Sequence, residues 1–258
     1  PESGALDAHY ALVLRDGWES KNTAVAMAAS SSATGHIHTD NGSLTIGNVG
    51  QWFITDPGYQ QYMDTAERQF CIGPTAHNFP LINGKAQAKK KPNRLTLDTV
   101  HPGIHRMELE LADCYDLPEN LISLKRTVWL QNNDLVVVAD RVSAKISNKI
   151  NYYWHGHKDA YWWTENNWTK LSLNGRTLWI TAPQIQITEK NINRLPGSRG
   201  QLTLSAQTTS QEGTIWWIFS FGKAPSLPQM GSNDESLVID STTFHPTSPT
   251  KRLSEKTK

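Results

Sequence analysis

Cysteine is nearly absent from this 258-residue chain, with only Cys71 and Cys114 present. They allow one disulfide but no disulfide framework. Without a Cys-x-x-Cys pair they also exclude a cysteine-built zinc cluster. Net charge is scarce as well: 25 Lys and Arg against 24 Asp and Glu leave a formal +1. No global field therefore draws the chain to nucleic acid, and none is expected as a partner. No apolar run approaches the length of a membrane span, and no signal peptide is recognisable. The chain opens at Pro1-Glu2-Ser3-Gly4 without an initiator Met or a leader, which reads as a processed or excised piece. Long helical periodicity is the last absence, and it removes bundles and doubly wound folds from consideration.

Alternation and tryptophan are what the chain has in quantity. His9 to Arg15 and Thr23 to Ala29 read as an opening pair of strands, and Leu44 to Ile46 and Gln51 to Thr55 as two short ones around Gly47-Asn48-Val49-Gly50. Asn and Gly supply the positive φ that such a hairpin needs. Asp56-Pro57-Gly58 ends the second short strand, because Pro cannot continue a ladder and Gly turns the chain. Gln60 to Phe70 has helical composition and reads as a short helix or an ordered loop. From Arg94 onward, strands are expected at 95–100, 104–114, 121–130 and 135–142, the last two joined by Gln131-Asn132-Asn133-Asp134. More follow at 150–157, 170–173, 177–181, 185–188, 201–207 and 214–222, with Asn174-Gly175 as a two-residue turn. So many short strands indicate an all-β fold, a large antiparallel β-sandwich over residues 1–222. Residues 223–258, rich in Pro, Ser and Thr, read as a C-terminal covering segment and polar tail. The 10 tryptophans are first of all core fillers. Trp162, Trp163 and Trp168, with Tyr152, Tyr153, Trp154 and Tyr161, are also dense enough to present a sugar platform.

The stretch with most chemistry is Gly35-His36-Ile37-His38-Thr39-Asp40-Asn41-Gly42-Ser43. On an extended backbone His36, His38 and Asp40 face the same way. Imidazoles suit a divalent metal and also move protons near neutral pH. Adjacent strand ends in one sheet would bring His38 together with Asp56 and His77, a normal ligand set for zinc with one position open. The bland alternative stays open at this stage: Asp56 capping a turn, His77 a satisfied loop histidine, and no metal. His155 and His157 repeat the i, i+2 pattern without a carboxylate partner and read as strand-face histidines.

The ordered set Gly35-His36-x-His38-x-Asp40, Ser43, Asp56-Pro57-Gly58 and His77-Asn78 resembles the β-domain of heparinase II/III-like polysaccharide lyases. Tyr10 to Trp18, ending in Arg-x-Gly-Trp, and Arg126-x-x-x-Leu130 followed by Leu135 to Val142 resemble further parts of that domain in the same order. The likeness is good over about residues 9 to 142, and after that only the strand rhythm carries it. The resemblance implies a supersandwich-like domain that packs on an N-terminal (α/α) toroid absent from this chain, with anionic polysaccharide in the cleft between them. It implies β-elimination at a uronic acid and a periplasmic or secreted location. By motif position it places His38, Asp56 and His77 as Zn2+ ligands and His36 beside the cleavage site, with Asp40 and Asn78 supporting the ligands. Tyr59, or its neighbour Tyr62, would supply a phenol, while Arg15, Arg126, His155 and His157 are candidates for binding the anionic substrate. The remaining acid–base groups of the family come largely from the toroid, so the chain alone is expected to be incomplete for catalysis. Two other readings stand beside this one: a non-catalytic carbohydrate-binding sandwich, and a module in which metal only orders the strand ends.

Overall fold

The structure, a computed structural model, describes residues 4–8, 10–30, 38–57, 64–88, 90–117, 120–193 and 201–246. His36 and Tyr59 lie outside the described residues. Among the described residues the chain is almost wholly antiparallel β, with one short helix, Ala66–Ile72, capped by the Thr65 side chain. A 15-stranded sheet runs Gly4–Ala8, Ala11–Arg15, Ala24–Ala28, Leu44–Asn48, Gln51–Ile54, then Leu135–Gly156, Gln201–Phe221, Arg176–Thr181, Trp168–Leu173 and Tyr161–Glu165. Asn93–His101, Ile104–Glu110 and Leu121–Gln131 join it as a meander on Leu135–Gly156.

Two strands organise the sandwich. Leu135–Gly156 has 22 residues and pairs along its length with the 21-residue Gln201–Phe221. Their register shifts between Ser143 and Asn148, an irregularity that bends a ribbon and increases its twist. On one side of that point Leu135–Gly156 pairs with Leu121–Gln131; on the other it meets Leu81–Ile82 and Gln51–Ile54. The ribbon thus passes from one layer to the other and turns its apolar faces together. Trp154 packs on Trp217 and Phe219, and Tyr152 on Trp217. Sequence alternation split each long strand in two, at 143–149 and 208–213, because polar residues there interrupt the apolar rhythm without breaking the ladder. It also missed strand Tyr161–Glu165, whose side chains are largely exposed and carry no in-out pattern.

The outer face of the ribbon carries a second apolar cluster, with Trp129, Val137, Ala139, Trp216 and Ile218 under Leu237, Ile239 and Phe244. The last three belong to a three-stranded sheet, Gln229–Met230, Leu237–Ile239 and Thr242–Phe244, so this segment lies over one face of the sandwich. Tryptophan serves mainly as core, with Trp154, Trp216 and Trp217 fully buried and Trp129 and Trp168 nearly so.

Turn chemistry follows the sequence at Asn174-Gly175, both residues at positive φ, and Asn83-Gly84 forms another such pair. At the first hairpin it does not. The positive-φ pair is Val49-Gly50, with Asn48 paired to Gln51 in the ladder. The Asn48 amide is committed elsewhere: Nδ2 donates to Thr23 Oγ1, and Oδ1 accepts from Arg176 Nε. Tertiary bonds thus take the residue that local preference assigned to the turn.

Candidate metal centre

The centre forms where three loops meet at one end of the sandwich. Residues 38–43 lead into strand Leu44–Asn48, residues 55–57 leave strand Gln51–Ile54, and residues 77–78 follow the helix Ala66–Ile72 and the 3-10 turn Pro74–Ala76. His38, Asp40 and His77 each bring one ligand atom within 4.8 Å of the others. The His38 and His77 rings lie 5.2 Å apart, tilted by 51°. Nδ1–H of His77 donates to Asp56 Oδ2 at 2.7 Å, which fixes the tautomer and leaves Nε2 as a lone pair. That Nε2 is buried and has no hydrogen-bond partner among the described residues.

Burial pushes the Asp40 carboxyl up to about 6, and the neighbouring Asp56 charge adds to the effect while His77 opposes it. His77 is pulled down by burial, but the hydrogen bond and charge of Asp56, with Asp40 behind, outweigh this and raise it. His38 is lowered by burial and by the positive charge of His77 and Arg68. Two imidazoles and a buried carboxyl thus converge in one place. A divalent cation bound among them would take the place of any protons they carry. The donor set of two nitrogens and one oxygen suits zinc, and the orphaned Nε2 fits the group.

The carboxylates are arranged differently from the sequence expectation. Asp40, read as a support, stands within ligand reach of both histidines. Asp56, read as the third ligand, sits behind His77 and holds its ring, the carboxylate–histidine arrangement common at metal sites. Spacing alone could not separate the two: Asp40 precedes strand Leu44–Asn48 by four residues and Asp56 follows Gln51–Ile54 by two.

The loops are held by buried polar side chains. Asn78 is fully buried and bonds three ways at 2.8 Å: Nδ2 donates to the Leu44 and Thr55 carbonyls, and Oδ1 accepts from the His155 N–H. Its own N–H donates to Ser43 Oγ. Asn41 and Gln87 brace the other loop, since Asn41 N–H donates to Gln87 Oε1 and Gln87 Nε2 to the Asn41 carbonyl. Gly42 takes φ +84°, and a Cβ there would meet Leu111 Cδ1 at 2.7 Å, so only glycine fits.

The residues proposed to bind anionic substrate fare unevenly. Arg126 is fully buried and bidentate on Asp140, which removes it from any surface. His155 is also fully buried: Nε2–H donates to the Thr75 carbonyl, and Nδ1 accepts from Thr203. Burial lowers its pKa to about 4, so it is a neutral core histidine. Arg15 pairs across Ala24 toward Gly47, at the far end of the strand that starts at the site. Its guanidinium lies on Trp18. His157 is one-third exposed, with its backbone N–H on the Phe53 carbonyl. Sequence reasoning missed the Arg126–Asp140 pair, although the expected hairpin at 131–134 sets the two opposite each other. Cys71 and Cys114 are buried free thiols.

The family model for the heparinase II/III-like C-terminal region matches residues 3–255. Among solved structures, a heparan sulfate lyase HepC from Pedobacter heparinus aligns with TM-score 0.74 at 15% identity, over 98% of this chain and 43% of that one. The heparinase III BT4657 gene product aligns with TM-score 0.75 at 14% identity, over 95% of this chain and 42% of that one. At these identities the likeness is one of fold. The chain spans less than half the length of either. No curated protein matches its sequence.

Proposed function

Because the chain belongs to the heparinase II/III-like family, we propose that it is the β-sandwich part of a polysaccharide lyase. Its substrate would be a uronic-acid-containing anionic polysaccharide, cleaved by β-elimination in a periplasmic or secreted setting. The observation that carries this reading is the His38–Asp40–His77 cluster with its buried, unpartnered His77 Nε2. His38, His77 and Asp40 would hold Zn2+, with Asp56 orienting His77. The ion would supply a fixed positive charge and tie the His38–Asp40 segment to His77.

The chemistry sets what else is required. A base removes the C5 proton of the uronic acid, the carboxylate takes up the developing charge, and an acid protonates the departing glycosidic oxygen. His36, two residues before His38 in sequence, is proposed at the cleavage site from its motif position, and Tyr59, three residues after Asp56, as a phenol. His157, one-third exposed, is proposed as a further contact to the substrate. The other groups that neutralise the carboxylate are assigned to an N-terminal (α/α) toroid, in line with the chain spanning 43% of the HepC lyase.

The test incubates the purified chain with heparin, heparan sulfate, alginate and hyaluronan while following ultraviolet absorbance of the unsaturated product. Little or no turnover is expected from the chain alone. Joined to a helical domain it should turn over one of these polymers, and His36→Ala should abolish that turnover with metal content unchanged. Strong turnover by the isolated chain would refute the division of groups, and full activity of the His36 variant would refute its role. One observation favours a second, binding role: Tyr161 and Trp163 are exposed and stacked 5.9 Å apart on an edge strand, as a sugar platform would be.

A further inference from the structure

The Arg126 guanidinium sits in the core beneath the candidate centre and spends four hydrogen bonds in two directions. Nε and Nη2 donate to the two oxygens of Asp140, each at 2.7 Å. Nη1 donates to the Gly42 carbonyl at 2.7 Å and to the Asn78 carbonyl at 2.8 Å. Gly42 lies two residues after Asp40, and Asn78 directly follows His77. The two loops that carry the centre's donors are therefore tied to one planar group, and that group is fixed to the central hairpin.

We infer that Arg126 is a positioning residue: by bridging the Gly42 and Asn78 carbonyls it sets the spacing of the His38–Asp40 loop from His77, and with it the affinity for metal. The inference rests on the metal-centre reading above. A core ion pair alone would not need this arrangement. Two buried charges can often be replaced by an apolar pair of similar volume without loss of folding, and Lys can supply charge where only charge matters. Lys has a single nitrogen on a flexible stem and cannot span Asp140 and two carbonyls at once. The fork is what the site uses. Packing holds it in plane: the guanidinium lies 5.6 Å from the Trp154 ring centre, and its Cδ borders Gly42.

The experiment uses the full 258-residue chain with zinc alone as the probe and hydrogen exchange as a readout that needs no metal. Arg126→Met with Asp140→Leu removes both charges together, and Arg126→Lys keeps the charge without the fork. Both variants should fold cooperatively and lose zinc affinity by about 10–100-fold, the usual effect of removing support behind ligands. In metal-free protein, amides at 41–44 and 77–79 should lose protection while those of Leu135–Gly156 keep it. Wild-type zinc affinity and unchanged loop protection in either folded variant would overturn the inference. Should the wild-type chain bind no zinc, the metal reading falls by itself and the exchange pattern still decides whether Arg126 spaces the loops. If the apolar pair fails to fold, the Lys variant decides.

Discussion

Replacing Asn78 tests most severely how the loops are held. Its side chain satisfies three backbone groups: the His155 N–H and the carbonyls of Leu44 and Thr55. Asn78→Ala removes these three bonds. A buried polar group left unmade costs about 1–3 kcal/mol. Thr55 borders solvent and recovers part of its share, so the sum is about 3–5 kcal/mol, a large part of the ~5–15 kcal/mol that holds a typical domain. Asn78→Asp is sharper still. It keeps the acceptor for His155 but turns the amide nitrogen into an oxygen facing two carbonyl oxygens. Despite being nearly isosteric, Asp should be no milder than Ala. Urea unfolding of the metal-free chain, followed by tryptophan fluorescence, measures both. An Ala variant within about 1 kcal/mol of wild type, or an Asp variant close to wild type, would refute the clamp.

Other expectations follow from the same geometry. Gly42→Ala combines an unfavourable positive φ with a clash on Leu111 and should cost about 1–3 kcal/mol in the same assay. His155 is neutral in the fold with a pKa lowered to about 4, while in the unfolded chain it titrates near 6.5. Its contribution, about 3 kcal/mol, is complete above pH 6.5 and is lost as pH falls toward 4. An NMR titration of its ring should therefore show no protonation at pH 5.5, and a midpoint near 6.5 would contradict the burial argument. Asp40→Asn should abolish zinc binding, whereas Asp56→Asn should weaken it about 10–100-fold through His77. Loss with Asp56→Asn alone would return Asp56 to the ligand position that the family resemblance implies.

Much of the fold could be read in the residues because alternation and turn chemistry are local. Strands 95–100 and 121–130 and the Asn132 and Asn174 turns lie where the pattern set them, whereas the strand expected at 104–114 ends at Glu110 and Ala112–Cys114 forms a 3-10 turn. The continuity of Leu135–Gly156 was not legible, since a ladder through polar residues is decided by its partner strand. At the site, His38 and His77 were recognisable from residue type and order. The hydrogen bond of Asp56 to His77 Nδ1 and the closeness of Asp40 to both histidines were not, since both depend on the three-dimensional path of the loops. Arg126 and His155 misled for one reason: charge and titratability suggest a surface, and only the three-dimensional count of partners shows a group satisfied inside. The Arg126–Asp140 pairing was within reach once the turn at 131–134 was recognised.

The central claim is that His38 and His77 hold one divalent ion in this chain. Elemental analysis of the purified protein measures it directly, on wild type, His38→Ala and His77→Ala after identical dialysis. The account predicts one equivalent of zinc on wild type, none on either variant, and a lower unfolding midpoint in proportion to the metal lost. A full equivalent retained by both variants, or none on a wild-type chain refolded with zinc, would contradict it.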